Sequence, residues 1–158
     1  MTTTPTSDQD DYITGIQEAA DGEVQGEVLF LRLAAQAAPE HRHKLERLAA
    51  LEVRTGREMD ALVQRYGLTL DPANRAEAEE RAKVYDGMGY YDILAEWATW
   101  IPDYVDLYDR LAERARAGDE PALSFLSAHE RAIDTFIKLE LAGRSAEAMA
   151  ELDAVLDR

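Results

Sequence analysis

The stretch VQGEVLFLRLAAQAAPEHRHKLERLAALEVRT, residues 24–55, decides the fold because it carries a helix pattern on each side of a single proline. On both sides, apolar residues recur at intervals of three and four, the spacing that places them on one face of an α-helix. Proline ends a helix that precedes it and suits the first turn of a helix that follows, so Pro39 marks the junction. The stretch therefore predicts two helices joined by a short turn.

Each of these predicted helices carries a glutamate at a position where its apolar face should carry a hydrophobic residue. The first helix covers about residues 8–37, and the second runs from residue 39 to about 66, where Gly67 supplies a stop signal. The expected inward faces are Ile13, Ile16, Ala20, Val24, Glu27, Leu31 and Ala34 in the first helix, and Leu45, Leu48, Glu52, Thr55, Met59, Leu62 and Tyr66 in the second.

Glu27 and Glu52 lie at matching distances from the turn, 12 residues before Pro39 and 13 residues after it. At 1.5 Å per residue these distances are roughly 18 and 20 Å, so an antiparallel hairpin sets the two carboxylates side by side. An inward carboxylate costs several kcal/mol unless it is paired, protonated or bound to a metal. Gly26, one of three glycines in the first helix, also indicates close packing near Glu27. The pair therefore predicts a buried site.

The rest of the chain also reads as helix. We expect a short helix near residues 72–86, a longer one over about residues 90–117 with Pro102 as a kink, a fourth over about 121–142, and a last short one from Ser145 to about residue 156. The prediction is an all-α, antiparallel four-helix bundle with two short extra helices. Residues 72–86 either extend the third helix or cross over the bundle. Residues 1–7 are expected to be a disordered tail, and residues 8–158 a single domain.

Composition narrows the classes of function. The formal net charge of −15 argues against nucleic acid and anionic membranes as partners, since both need clustered Lys and Arg. The chain has no cysteine, which excludes disulfides, zinc–thiolate sites and iron–sulfur clusters. No apolar run reaches membrane-spanning length, and no signal-peptide pattern opens the chain, so we expect a cytoplasmic protein.

The chain resembles the ferritin-like superfamily in placing glutamates on neighbouring helices of a predicted four-helix bundle. The di-metal sites of that superfamily combine single glutamates with Glu-x-x-His motifs. Glu27 matches the single-glutamate helix, and Glu52 matches the glutamate of the first motif, although Thr55 stands where histidine is expected. In the fourth helix, His129 precedes Glu130 instead of following it. The resemblance implies a site made of Glu27, Glu52, His129 and Glu130 that binds iron or manganese. It also implies an oxidase or oxygenase acting on a small organic substrate inside the bundle.

Two other interpretations stay open. Glu27 and Glu52 can instead pair with arginines such as Arg32, Arg54 or Arg131, and an apolar face rotated by one position leaves one glutamate at the rim.

The third predicted helix is rich in aromatic residues that cannot all face one core, which favours a pocket wall or a homo-oligomer interface. The alternative function is therefore a non-enzymatic bundle that binds a small ligand or a protein partner through this helix.

Overall fold

The computed structural model describes residues 7–158, with side chains from residue 11 onward. The prediction of an all-α chain is confirmed over this range, in which the structure contains no β-strand. The helices are α1 (Ser7–Gln36), α2 (Pro39–Arg65), α3 (Asn74–Ala82), α4 (Tyr90–Trp97), α5 (Ile101–Glu113), α6 (Glu120–Leu141) and α7 (Ser145–Leu156). A 3₁₀ turn, Lys83–Tyr85, follows α3. The tail predicted at residues 1–7 lies outside the described residues, apart from Ser7, which begins α1.

Helices α1 and α2 form the hairpin that the proline predicted. Only Ala37 and Ala38 separate them, and Pro39 occupies the first turn of α2. Gly67 ends α2 with a φ of 62°, a left-handed conformation that glycine adopts without strain. Its N–H donates to the carbonyl of Gln64, and the N–H of Leu68 donates to that of Val63, which together satisfy two carbonyls of the last turn.

The segment between α2 and α4 runs along the outside of α1. At its start, Asn74 donates to the carboxylate of Asp21 at 2.6 Å, and near its end Arg32 donates to Asp86 at 2.7 Å. The segment therefore crosses over the length of the hairpin, and the alternative in which it extends the third helix is wrong. Helix α3 begins a few residues after Asp71, because the Asp71 carboxylate accepts the N–H of Ala73 and caps the turn before it.

The predicted third helix is two helices. Instead of one kinked helix over residues 90–117, the chain forms α4 and α5, separated by a turn at residues 98–100. Pro102 has no N–H and its ring clashes with the carbonyl of the preceding turn, and here it lies in the first turn of a new helix, where neither matters.

Four helices form a closed ring of contacts, α1 with α2, α2 with α6, α6 with α5, and α5 with α1, while α7 packs against α6 and α2. Two apolar clusters fill the interior. One contains Phe30, Leu48, Trp97, Ile133 and Phe136, and the other contains Tyr12, Ile16, Met59, Leu123 and Leu126. Along α1, α2 and α6 the residues between these clusters are polar, so a polar layer separates two apolar ones. Within the described part of the chain, no helix combines the length and apolar character that a membrane crossing requires.

Candidate metal centre

The polar layer contains three glutamates around one histidine. Glu23 on α1, Glu52 on α2, and His129 and Glu130 on α6 are each at least 94% buried. The Nε2 atom of His129 lies 3.3 Å from Oε2 of Glu23, 3.6 Å from Oε1 of Glu52 and 3.7 Å from Oε2 of Glu130. Three helices therefore converge on a single imidazole nitrogen.

The other nitrogen of His129 fixes which way the ring faces. Nδ1 lies 2.8 Å from the carbonyl oxygen of Leu126, one turn earlier on α6, and can only donate to it. In the neutral imidazole, this bond leaves a lone pair on Nε2, aimed at the carboxylates. A histidine whose second nitrogen is held by a backbone carbonyl is the usual arrangement of a metal ligand.

Two atoms of this layer are buried without a hydrogen-bond partner, Oε2 of Glu23 and Nε2 of His129. Buried polar atoms are satisfied in most proteins, and an exception indicates a proton, an ion or a functional constraint. Here a lone pair on Nε2 would face carboxylate oxygens directly. A proton on the imidazole, a proton on one of the carboxyl groups or a bound cation turns that repulsion into attraction.

The arginines that the sequence offered as partners are engaged elsewhere. Arg32 pairs with Glu79 and Asp86, whereas Arg54 pairs with Glu58 on its own helix, one turn away. Arg131 pairs with Asp109 of α5. Among the described residues, no lysine or arginine forms an ion pair with the three glutamates of the layer.

The pKa values of these groups move in the direction of proton uptake. Burial raises the pKa of Glu130 to about 7, and it raises the pKa of Glu23 well above the ordinary value, with Glu52 adding to the rise. Burial alone lowers the pKa of His129, but the neighbouring carboxylates outweigh it and hold that pKa well above its ordinary value. Burial also raises the pKa of Tyr108, whose ring stacks 6.4 Å from that of His129.

Gly26 makes space for one of the carboxylates. A Cβ atom on Gly26 would lie 2.6 Å from Oε2 of Glu52, closer than real Cβ contacts, so α1 leaves a recess that this carboxylate fills. Across the hairpin, a Cβ atom on Gly56 would lie 3.7 Å from the Cβ of Glu23, an ordinary contact. The close packing that the glycines predicted is therefore found at the site itself, and Gly26 positions Glu52.

Glu27 is not part of this group, and the expectation that it faces inward is wrong. Its side chain is 21% exposed and pairs with Arg75 of α3 at 2.8 Å. The inward position belongs to Glu23, about one helical turn earlier. The inward face predicted for α1 was rotated relative to the observed one, because the buried residue that follows Ala20 is Glu23 and not Val24. The structure brings together the other three predicted residues, Glu52, His129 and Glu130.

The positions where the ferritin-like pattern expects histidine remain without one. Thr55 is fully buried, and its hydroxyl donates to the carbonyl of Leu51 in its own helix at 2.9 Å. Ile133, three residues after Glu130, belongs to the apolar cluster. His129 reaches the same layer from the preceding position on α6. The donor set is therefore one imidazole with carboxylates.

Glu23, Glu52 and His129 could hold a metal ion. Each offers one ligand atom, and the three atoms lie within 4.8 Å of one another. Carboxylate oxygens suit manganese and magnesium, and imidazole suits iron and zinc, so the mixed set fits a divalent transition metal. Three protein ligands leave coordination positions for water or substrate.

A cavity of about 610 Å³ opens onto this layer from between α1, α3, α5 and the 3₁₀ turn. Its floor includes Glu23, Glu52 and Glu130. Its walls are mainly apolar and aromatic, and they include Leu29, Phe30, Ala82, Tyr85, Trp100, Ile101, Tyr104, Tyr108 and Ile133. A cavity of this size accommodates a small organic molecule in reach of the buried carboxylates.

A smaller cleft of about 270 Å³ reaches the same carboxylates from the opposite side, between α1 and α2. Glu23 and Glu52 line both openings, whereas Glu27 and Arg75 line only the smaller one. Glu27 therefore belongs to the rim of the site.

Comparison of the chain with known protein families, with curated proteins and with solved structures finds no match. The interpretation of the site therefore rests on its geometry.

Proposed function

We propose that this protein is a small metal-dependent oxidase or oxygenase of ferritin-like type, which acts on a small organic substrate in the 610 Å³ cavity. One observation carries the proposal. A buried imidazole nitrogen faces three carboxylates with no lysine or arginine paired to them among the described residues, at the floor of an aromatic cavity. Keeping such a layer in a protein interior costs several kcal/mol unless its groups are protonated or a cation is bound there.

The arrangement of the helices supports the ferritin-like part of the proposal. The ring of α1, α2, α6 and α5, with a crossover between α2 and α4, is compatible with a four-helix bundle that has one long connection. In bundles of that type, the metal ligands project inward from facing helices at one level. Glu23, Glu52 and His129 have this placement.

Iron and manganese are the metals we expect. Glu23, Glu52 and His129 act as ligands, Glu130 stands beside them on the cavity side, and water or substrate occupies the remaining positions. A redox-active ion with open positions next to an apolar cavity is the arrangement that dioxygen chemistry on an organic substrate requires.

The first experiment compares metal binding by two glutamate variants of α1. Metal-free protein is titrated with Mn²⁺, and with Fe²⁺ in the absence of oxygen, while the melting temperature and the binding heat are recorded. Wild type should melt at higher temperature with metal, Glu23→Gln should lose that shift, and Glu27→Gln should keep it. The proposal is overturned if neither ion changes the melting temperature of the wild type. Loss of the shift in Glu27→Gln alone would overturn the assignment of Glu23.

The cavity also favours the alternative function, a non-enzymatic bundle that binds a ligand through its aromatic helix. Trp100, Tyr104 and Tyr108, on or next to α5, all line this cavity. Dioxygen consumption by the Fe²⁺-loaded protein in the presence of bound organic ligands separates the two functions. Consumption that Glu23→Gln abolishes supports the enzyme, whereas ligand binding without metal-dependent consumption supports the alternative. The possible homo-oligomer stays a prediction.

A further inference from the structure

We infer that the organic molecule bound in the 610 Å³ cavity carries a cationic amino group on an apolar body. The inference rests on the proposed function only in taking this cavity as the binding site, and it holds for a substrate and for a ligand alike. Three properties of the lining support it, namely its charge, its aromatic rings and the position of Glu130.

The ionisable side chains that line the cavity are mostly acidic. Glu23, Glu52 and Glu130 are buried at its floor, while its single cationic lining residue, Arg81, is exposed. The protein as a whole has a formal net charge of −15. An anionic ligand would have to leave water for a site next to carboxylates, whereas a cation is attracted to it at every stage of its approach.

Aromatic rings cover the wall between the mouth and the floor. The ring of Tyr104 lies 5.8 Å from that of Trp100 and 6.1 Å from that of Tyr108, with interplanar angles of 73° and 68°. Three successive rings at steep angles present both faces and edges along one side of the cavity. Aromatic faces attract ammonium groups, and carboxylates below them favour the same charge.

Glu130 is the carboxylate that would receive the amino group. It lines the cavity but is not one of the three residues whose ligand atoms cluster around a single point. When Glu23, Glu52 and His129 hold a metal, Glu130 remains beside them as a carboxyl group outside that ligand set. An ammonium group bonded to Glu130 places the adjacent carbon next to the metal position.

The test uses three probes of similar shape and different charge, naphthylmethylamine, naphthylmethanol and naphthoate. Their binding to metal-free and Mn²⁺-loaded protein is measured by calorimetry at pH 8. We expect the amine to bind about tenfold or more tightly than the alcohol in both forms, as a hydrogen bond to a charged group would give, and naphthoate to bind most weakly. Naphthoate binding as tightly as the amine overturns the inference, and so does a failure of all three to bind.

Variants identify the partner of the amino group. Glu130→Gln should remove the preference for the amine over the alcohol, and Trp100→Leu should weaken amine binding roughly 5- to 30-fold by removing an aromatic face. Asp134→Asn is the matched control, since it removes one negative charge about one turn further along α6 and does not line the cavity. An unchanged preference in Glu130→Gln contradicts the role of Glu130.

The failure of this inference is distinguishable from the failure of the proposed function. If the wild type binds no metal, the proposed function falls, and the metal-free protein still decides between the amine and its isosteres. If Mn²⁺ displaces the amine competitively, the amino group lies on the metal ligands, and the inference that metal and amine occupy adjacent places is wrong.

Discussion

Buried acids occur in two settings in this protein, at the ends of the helix ring and in its middle, and the two settings differ in what surrounds the carboxylates. At the ends, Asp119 and Glu140 each contact a lysine or arginine and tyrosine hydroxyls. In the middle, Glu23, Glu52 and Glu130 surround one imidazole. The acids are similar in burial, so the partners decide what each group does.

Asp119 shows what a fully satisfied carboxylate looks like here. It accepts hydrogen bonds from Tyr12 at 2.8 Å and Tyr66 at 2.5 Å, and it pairs with Arg65. Burial alone raises its pKa, but these partners outweigh burial and hold the pKa below its ordinary value. The group joins the first helix, the end of the second and the start of α6, which is a structural role.

Glu140, at the other end, is paired through one of its two oxygens, whereas its Oε1 is buried without a hydrogen-bond partner. Its Oε2 accepts from Lys44 at 2.8 Å and from Tyr90 at 3.2 Å, and Lys44 also donates to Ser145 at 3.0 Å. These bonds join α2, α4, α6 and α7. This fold therefore places a lysine or arginine beside a buried acid where the acid serves packing. The middle layer has an imidazole in that place and, among the described residues, no lysine or arginine, and that difference is the strongest indication of function.

The largest effect should follow from removing the cation of an end cluster. Lys44→Met leaves Glu140 buried without its ion-pair partner, which should lower the free energy of unfolding by about 3–5 kcal/mol. Urea unfolding followed by circular dichroism measures the change. Lys138→Met is the control, because Lys138 is exposed and its pair with Asp134 should be worth less than about 1 kcal/mol. Equal losses in the two variants would contradict the structural role of the end cluster.

Stability should depend on pH in a direction set by the middle layer. Burial raises the pKa of Glu130 from 4.5 to about 7, and the pKa values of Glu23 and His129 are raised as well. The folded state therefore holds protons that the unfolded state releases, and the free energy of unfolding should fall as pH rises. We expect a loss of about 1–3 kcal/mol for the metal-free protein between pH 5 and pH 8.

The variant Glu130→Gln tests whether the middle layer causes this dependence. It should flatten the fall in stability between about pH 5 and pH 7, where the folded state keeps the proton of Glu130 and the unfolded state has released it. Asp119 does not contribute in this window, because its pKa lies below the ordinary value of 3.8 and its stabilisation is lost only at lower pH. A slope that is unchanged in Glu130→Gln would place its origin outside the middle layer.

The sign of the change in unfolding free energy caused by Glu52→Gln should show whether Glu52 belongs with the paired acids at the ends or with the middle layer. In metal-free protein, removing this charge relieves repulsion from Glu23 and Glu130, so the free energy of unfolding should stay unchanged or rise by about 1 kcal/mol. With Mn²⁺ at a hundred times its dissociation constant, wild type should gain about 2.7 kcal/mol and the variant none. Thermal and urea unfolding with and without Mn²⁺ measure both quantities. Destabilisation of the metal-free variant would show that Glu52 serves packing, as Asp119 does.

Much of the fold could be predicted from the sequence because prolines and glycines mark the ends of its helices. Pro39, Gly67, Pro121 and Gly143 mark helix ends by sterics that no tertiary contact overrides, and the helices begin and end within a few residues of them. Pro102 was predicted to kink a helix and instead separates two. The sequence alone does not distinguish a kink from a break, since the difference depends on whether the flanking turns find partners for the freed carbonyls.

The candidate site was predicted in part. His129, Glu130 and Glu52 were found because α2 and α6 have unambiguous apolar faces. The face of α1 is ambiguous, since alanines and glycines identify a face weakly, and a shift of one residue turns it by about 100°. Phe30 and Gly26 are the two residues of the sequence that indicate Glu23, and not Glu27, as the inward glutamate. Phe30 lies seven residues after Glu23 on the same face, and the recess at Gly26 explains why a glycine stands beside an inward carboxylate.

The smallest change, a single methyl group at Gly26, tests whether the geometry of the middle layer matters. Gly26→Ala places a Cβ atom where it would lie 2.6 Å from Oε2 of Glu52, so the carboxylate must turn away from His129. Alanine also favours the helix by about 1 kcal/mol, which offsets the strain, and the metal-free protein should keep its stability within about 1 kcal/mol. Affinity for Mn²⁺ should nevertheless fall about tenfold, since the displaced ligand costs roughly 1.4 kcal/mol.

Gly15→Ala is the control for this change. It gives the same helix the same gain, and its Cβ would meet only the flexible end of Leu111, at 3.3 Å, away from the carboxylates. Calorimetric titration of both variants with Mn²⁺ separates a local effect from a general one. If Gly26→Ala binds Mn²⁺ as tightly as Gly15→Ala, the Glu52 carboxylate needs no defined position. The middle layer would then be a cluster of acids that tolerates rearrangement and not a preorganised metal centre.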